Sequence, residues 1–133
     1  MMFHRVGLAV LRENKVLMVR NRGSRFWAIP GGRIEEGETP EAALARELGE
    51  ELRVSLKRQP QLLGTFHDRS AVTGEQFSLS LFAGDVAGKP VPSNEIAECT
   101  WFDGVDKAVL LPPMFVNHVQ PALQNVLGWT PGA

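Results

Sequence analysis

The chain has 133 residues, enough for one compact core and too few for two ordinary domains. Hydrophobic residues make up 44% and charged residues 22%, and the net charge of -1 excludes the broad basic field that draws long nucleic acid nonspecifically. Cys99 is the single cysteine, the N-terminus lacks a signal-peptide pattern, and no apolar stretch approaches the roughly 20 residues of a membrane helix, so the sequence predicts a cytoplasmic protein with no disulfide and no membrane partner.

Val6 to Leu11 reads as a buried strand and Lys15 to Arg20 as a second, with the polar pair Glu13-Asn14 as a hairpin turn. Asn21 to Arg25 is a loop. Phe26 to Ile29 is a short strand that stops at Pro30-Gly31-Gly32, and turn-rich sequence continues to Thr39. Thr39 then suits an N-cap and Pro40 the first helical position, with Glu41 at the positive end of the helix dipole. This helix should run to about Leu52. Gln61 to His67 and Glu75 to Val86 are strand candidates, the latter through the alternation of Phe77, Leu79 and Leu81. Residues 88–94 form a loop, and a final helix lies within Met114 to Leu127, kinked or divided by Pro121. This order predicts one α/β (α+β) domain over residues 1–133, with a mixed sheet sandwiched between helices.

The first helix carries unusual chemistry. At about 100° per residue, Glu47, Glu50 and Glu51 share an arc of roughly 100°, beside a separate stripe of Leu44, Leu48 and Leu52. One face can pack on a sheet while its neighbour holds three carboxylates that repel one another. A hard divalent cation such as Mg²⁺ removes that repulsion. Taken alone, the string also reads as a solvated acidic face.

Its surroundings are more specific. Gly32 is followed by five residues, Glu38, seven residues, and then Arg46-Glu47-Leu48-Gly49-Glu50-Glu51-Leu52-Arg53-Val54. This resembles the Nudix box over residues 32–54, and the preceding Pro30-Gly31 fits the family's usual entry. The resemblance is detailed over residues 30–54 and looser from about residue 5 to 103. Arg53 departs from it, standing where the family carries a glycine that ends the helix in a left-handed conformation. A strained helix end is therefore expected at Arg53.

The resemblance implies an α/β/α sandwich and Mg²⁺-dependent cleavage of a diphosphate linkage in a small nucleotide-type substrate, with Mn²⁺ able to substitute. By the same carry-over, Glu47, Glu50 and Glu51 are Mg²⁺ ligands, joined by the carbonyl of Gly31. Gly32, Glu38 and Arg46 are structural, with Glu38 and Arg46 tying loop to helix. Glu50 and Glu51 also belong to the catalytic set. In MutT-type members a loop glutamate stands six residues before a Trp, as Glu95 does before Trp101. Glu95 is thus the expected general base, on a loop able to swing in when substrate arrives. Glu98 is the alternative. Arg20 ends the second strand, as does a phosphate-contacting arginine in those enzymes. Arg22, Arg25 and Arg33 read as solvated loop cations. Trp27 is a candidate for stacking on a base, or else core, and Asn117 is a candidate for reading a base edge. His4, His67 and His118 show no metal-ligand spacing.

The leading substrate expectation is a nucleoside triphosphate, oxidised nucleotides included, cleaved to monophosphate and pyrophosphate. ADP-ribose or another nucleoside diphosphate derivative is the alternative. The marks of ADP-ribose and dinucleoside polyphosphate hydrolases are missing: residues 66–76 contain no proline and the chain contains no tyrosine. A noncatalytic nucleotide sensor is a further reading, disfavoured because the box acids are all present. A homodimer is compatible with the sequence.

Overall fold

In the computed structural model, which describes residues 2–133, Glu13 and Asn14 both take positive φ, 49° and 62°. That geometry matches the twist of a tight hairpin. Before the turn lie β1 (Phe3–Ala9) and the short β2 (Leu11–Arg12), and after it comes β3 (Lys15–Asn21). β4 (Trp27–Ala28) pairs with β3, while β5 (Gly31–Arg33) pairs antiparallel with β1. The stretch after Pro30, expected to be turn, therefore begins with a strand. Its three residues are too few to display alternation, and two of them are glycines with no side chain to alternate.

Next comes α1 (Pro40–Leu52). Thr39 Oγ1 accepts the Ala42 N–H at 3.1 Å and Pro40 occupies the first turn, as the cap chemistry predicts. The chain continues through β6 (Ser55–Leu56), β7 (Gln61–Arg69), β8 (Gln76–Ala83), β9 (Val86–Ala87) and β10 (Ile96–Phe102). The single strand expected over 75–86 is thus two, and β10 is an addition whose half-buried middle hides its period. A π-helical turn at Phe115–Val119 runs without a break into α2 (Gln120–Leu127), and Pro121, which has no N–H to donate, follows directly on that irregular turn.

One sheet has the order β5-β1-β8-β7, mixed because only β1 and β8 run parallel. A second has the order β10-β3-β2, with β4 beside β3, and β6 and β9 form a separate ribbon. Alternation sorts their side chains into two cores. Val6, Leu8 and Val10, with Leu17 and Val19, pack on Ala43, Leu44, Leu48 and Leu52 of α1. On the opposite face, Val16, Met18, Phe77, Leu79 and Leu81 pack on Phe115, Val119 and Leu123. The layers are helix, sheet, helix. Among the described residues, no helix is long and apolar enough to cross a membrane.

Arg53 ends α1 at φ 56° and ψ 37°, in the left-handed region expected of it. Its N–H reaches the Gly49 carbonyl at 3.2 Å, and its side-chain Nε donates to Ser93 Oγ at 3.0 Å. That second contact was invisible in the sequence and offsets part of the backbone strain. Arg53→Gly and Arg53→Ala both lose it, so their difference isolates the backbone. The glycine variant should be the more stable by about 1 kcal/mol, read from denaturant melts. Equal stabilities would show that the left-handed cap carries no strain.

Candidate active site

Glu47 and Glu51 stand four residues apart on α1, about 40° around the helix, and both are buried, at 8% and 5% exposure. Two glycines of β5 make room for them. The Gly31 N–H donates to Glu51 Oε1 at 3.0 Å. A Cβ on Gly32 would lie 2.6 Å from Glu47 Oε2, so only glycine lets this carboxylate rest against the strand. Leu8 N–H bonds the Pro30 carbonyl and Ile34 N–H bonds that of His4, which makes Gly31 a non-hydrogen-bonded ladder position opposite Gly7. Its N–H and carbonyl both turn away from β1, toward the Glu51 side.

The third carboxylate arrives from far along the chain. The last carbonyls of a helix lack partners within it. In α1 they are taken by the segment before β10: Asn94 Nδ2 donates to the Glu50 carbonyl (2.8 Å), Ser93 N–H to that of Glu51 (2.9 Å) and Val91 N–H to that of Leu52 (2.9 Å). The stitching delivers Glu95 to the acids, and the ligand oxygens of Glu47, Glu51 and Glu95 lie within 4.8 Å of one another. In this structure the loop expected to swing in is hydrogen-bonded to the end of α1. The set also differs from the expected Glu47, Glu50 and Glu51. Glu50 lies about 100° around the helix from Glu51, on the exposed flank, where its carboxylate is 3.4 Å from Arg46 Nη1.

Arg46 organises the entrance. It holds Glu38 bidentately (2.7 and 2.9 Å), donates to Glu47 Oε1 (2.7 Å) and caps the Arg33 carbonyl (3.0 Å). The Arg46 hydrogen bonds, with the Glu35 N–H, bring the Glu38 carboxyl down to about 2, so the loop-to-helix pair stays ionised. Burial acts the other way on the cluster. It raises the Glu47 carboxyl against the pull of Arg46, and it pushes Glu51 up to about 8. All the converging donors are carboxylate oxygens, two of them buried with less positive charge than they need. That set suits a hard divalent cation.

Beside the cluster opens a cavity of about 650 Å³, walled by Glu51, Arg5, Phe26, Trp27, Phe77 and Phe115 among others. A cluster carboxylate, arginines and aromatic rings on one wall suit a ligand with a charged part and a flat apolar part.

A family model described as the NUDIX domain matches residues 2–123. The chain belongs to the Nudix family. It is 30% identical over 95 residues to the uncharacterized Nudix hydrolase YvcI of Bacillus subtilis (strain 168), covering 68% of this chain and 60% of that protein. To the ADP-ribose pyrophosphatase of Methanocaldococcus jannaschii it is 27% identical over 126 residues, covering 91% of this chain and 70% of that one. A solved MutT NUDIX hydrolase from Burkholderia pseudomallei superposes with a TM-score of 0.76 at 25% identity, covering 95% of this chain and 98% of the other.

Within this Nudix domain the other expected contacts are placed differently. Arg20 pairs with Glu98 at 2.6 Å, donates to the Ser24 carbonyl at 2.8 Å and lies 6.0 Å from the centre of the Trp27 ring. Arg20 and Glu98 face each other in the β3–β10 register, which sets up this partly exposed ion pair. Trp27 contributes to the cavity wall but is only 8% exposed, so most of its ring is core. The Asn117 amide donates to Asp68 Oδ2 at 3.0 Å. His118 reaches the same carboxylate at 3.3 Å, and His4 is bonded to Ser78, in keeping with structural roles. Arg5 of β1 is the residue the sequence reading missed. No local pattern marked it, since its half-buried place on the cavity wall arises only in the folded sheet.

Proposed function

We propose that this Nudix domain hydrolyses a diphosphate linkage in a nucleotide, with Mg²⁺ (or Mn²⁺) held by Glu47, Glu51 and Glu95. The observation that carries the reading is the convergence of those three carboxylates beside a nucleotide-sized cavity that Glu51 lines. The Gly31 carbonyl adds a donor beside the cluster and Glu50 stands at its exposed rim, while Gly32, Glu38 and Arg46 hold its geometry. When bound, the metal neutralises phosphate charge, orients the diphosphate and acidifies water. The chain supplies a base beside the reacting phosphorus, and Glu95 is assigned that role. The aromatic wall takes the nucleoside.

The substrate proposed is a nucleoside triphosphate, cleaved to monophosphate and pyrophosphate, in line with the MutT-named structure that matches nearly end to end. The M. jannaschii relative, matched over 91% of this chain, favours a second reading in which ADP-ribose and water give AMP and ribose 5-phosphate. Incubating the protein with Mg²⁺ and a nucleotide panel, with products separated by chromatography, tests both. Absence of Mg²⁺-dependent hydrolysis across the panel overturns the proposal.

Glu95→Gln keeps size and hydrogen bonding while losing basicity, and should lower kcat by about 10²–10⁴-fold. Because its oxygens lie among the ligands, the Mg²⁺ concentration needed for half-maximal rate should rise as well. Glu98→Gln merely frees Arg20 and should change kcat only a few-fold. If Glu98→Gln is the crippled variant, the base assignment is wrong.

A further inference from the structure

Arg5 occupies an unusual position for a charged residue. On β1 its Cα is paired with Leu79 of β8 on one side and Arg33 of β5 on the other. Phe3, two residues earlier, stacks on Phe77 at 5.4 Å. Arg5 lies half-buried on this face, between Phe3 and Gly7, and lines the same cavity as Glu51 and Gly31. Among the described residues no hydrogen bond or ion pair holds its guanidinium. Of the other arginines on the cavity wall, Arg22 donates to the Asn94 carbonyl and Arg69 to the Gly74 carbonyl, while Arg25 is exposed to solvent; Arg33 sits 3.9 Å over the Phe3 ring. Glu51, on the same cavity wall, accepts the Gly31 N–H and forms no ion pair with Arg5.

A guanidinium kept half out of water without a partner is poorly solvated and poorly compensated. Its planar fork matches two oxygens of a phosphoryl group. We propose that Arg5 binds a phosphoryl group of the substrate in the cavity that Glu51 lines, doing what was expected of Arg20. This rests on the proposed diphosphate hydrolase reading. Metal and arginine then divide the diphosphate charge, with the carboxylates addressing the cation and Arg5 the anion directly. Burial holds the Arg5 guanidinium below its ordinary value, against the pull of Glu51 and Glu47, in keeping with a cation that lacks solvent and has not yet met its anion.

The competing role is a counter-charge that merely steadies the acid cluster, and binding measurements separate the two. Calorimetric titrations with Mg²⁺ present would use methylenediphosphonate, α,β-methylene-ATP and adenosine on the wild type, Arg5→Met and Arg5→Lys. Met keeps the aliphatic bulk, while Lys keeps the charge without the fork. Arg5→Met should weaken both phosphonate ligands by about ten- to a hundredfold. Arg5→Lys should lie between it and wild type, and adenosine should be unaffected. Mn²⁺ binding to the ligand-free protein should stay the same or tighten, since a nearby positive charge is gone. Unchanged phosphonate affinity in Arg5→Met, or an equal loss for adenosine, overturns the proposal while leaving the hydrolase reading intact. Weakened Mn²⁺ binding would make Arg5 a support of the cluster and also overturns it. A wild-type chain that binds neither phosphonate overturns both readings.

Discussion

Glu51→Gln should fold, and should lose turnover on the order of 10³-fold at saturating Mg²⁺, equivalent to about 4 kcal/mol of transition-state stabilisation. Gln has the same shape and can still accept the Gly31 N–H bond, so the helix and its strand stay in place. What disappears is negative charge at the most buried of the three converging oxygens. The same substitution should alter stability in the metal-free protein. Burial pushes the Glu51 carboxyl from its ordinary 4.5 up to about 8, with Glu47 and Glu95 adding to the rise and the Gly31 N–H and Arg5 opposing it. Between pH 4.5 and 8 the folded chain therefore holds a proton that the unfolded chain has released. Stability falls as pH rises through that window and is regained toward acid. Melts in chelator should show a Tm that drops from pH 5 to 8 in the wild type, and less so in Glu51→Gln. Added Mg²⁺ should restore the wild type most at the alkaline end. Turnover near wild type in Glu51→Gln would remove this residue from the metal site.

Gly31→Ala should be the most damaging small substitution in the chain, costing about 4 kcal/mol or more and leaving little folded protein. Gly31 has φ 154°, and a Cβ there would overlap the Val6 carbonyl oxygen and lie 2.8 Å from Gly7 Cα. Those are backbone atoms of the paired strand, so relief requires β5 to leave β1 and carries the Glu51 hydrogen bond with it. Gly32→Ala meets only the end of the Glu47 side chain, which can turn away. It should fold and lose metal binding instead. Gly49→Ala faces open space on the exposed side of α1 and should stabilise by about 1 kcal/mol. Denaturant melts of the three variants should rank them Gly49→Ala, Gly32→Ala, Gly31→Ala from most to least stable. A well-folded Gly31→Ala would mean that β5 tolerates a wider separation from β1 than its geometry allows.

Much of this molecule is legible along the chain because short-range physics governs it. Thr39-Pro40 starts a helix, Glu13-Asn14 makes a hairpin, and a residue at the position of Arg53 closes the helix in a left-handed conformation. The leucine stripe of α1 and the alternation in β8 assign each to a core, since a period of 3.6 or 2 is visible within one element. Spacing within the box likewise brings Glu38 to Arg46 and Glu47 to Glu51.

Contacts between distant segments had no such signature. Angular position on a helix admits Glu50 to the acidic face as readily as Glu47. It is β5 lying against one side of α1 that buries Glu47 and Glu51 and leaves Glu50 outside. Glu95 joins them because the open carbonyls at the end of α1 bind residues 91–94, a match of orphan acceptors to donors some 40 positions away. Arg20 and Glu98 pair because the register of β10 on β3 sets them opposite, and register is a property of two strands. Arg5 looks like any surface cation until the sheet closes around it. Sequence periodicity states which side of an element is apolar; only packing decides which charges on the remaining side meet one another, which find partners, and which are left to meet a ligand.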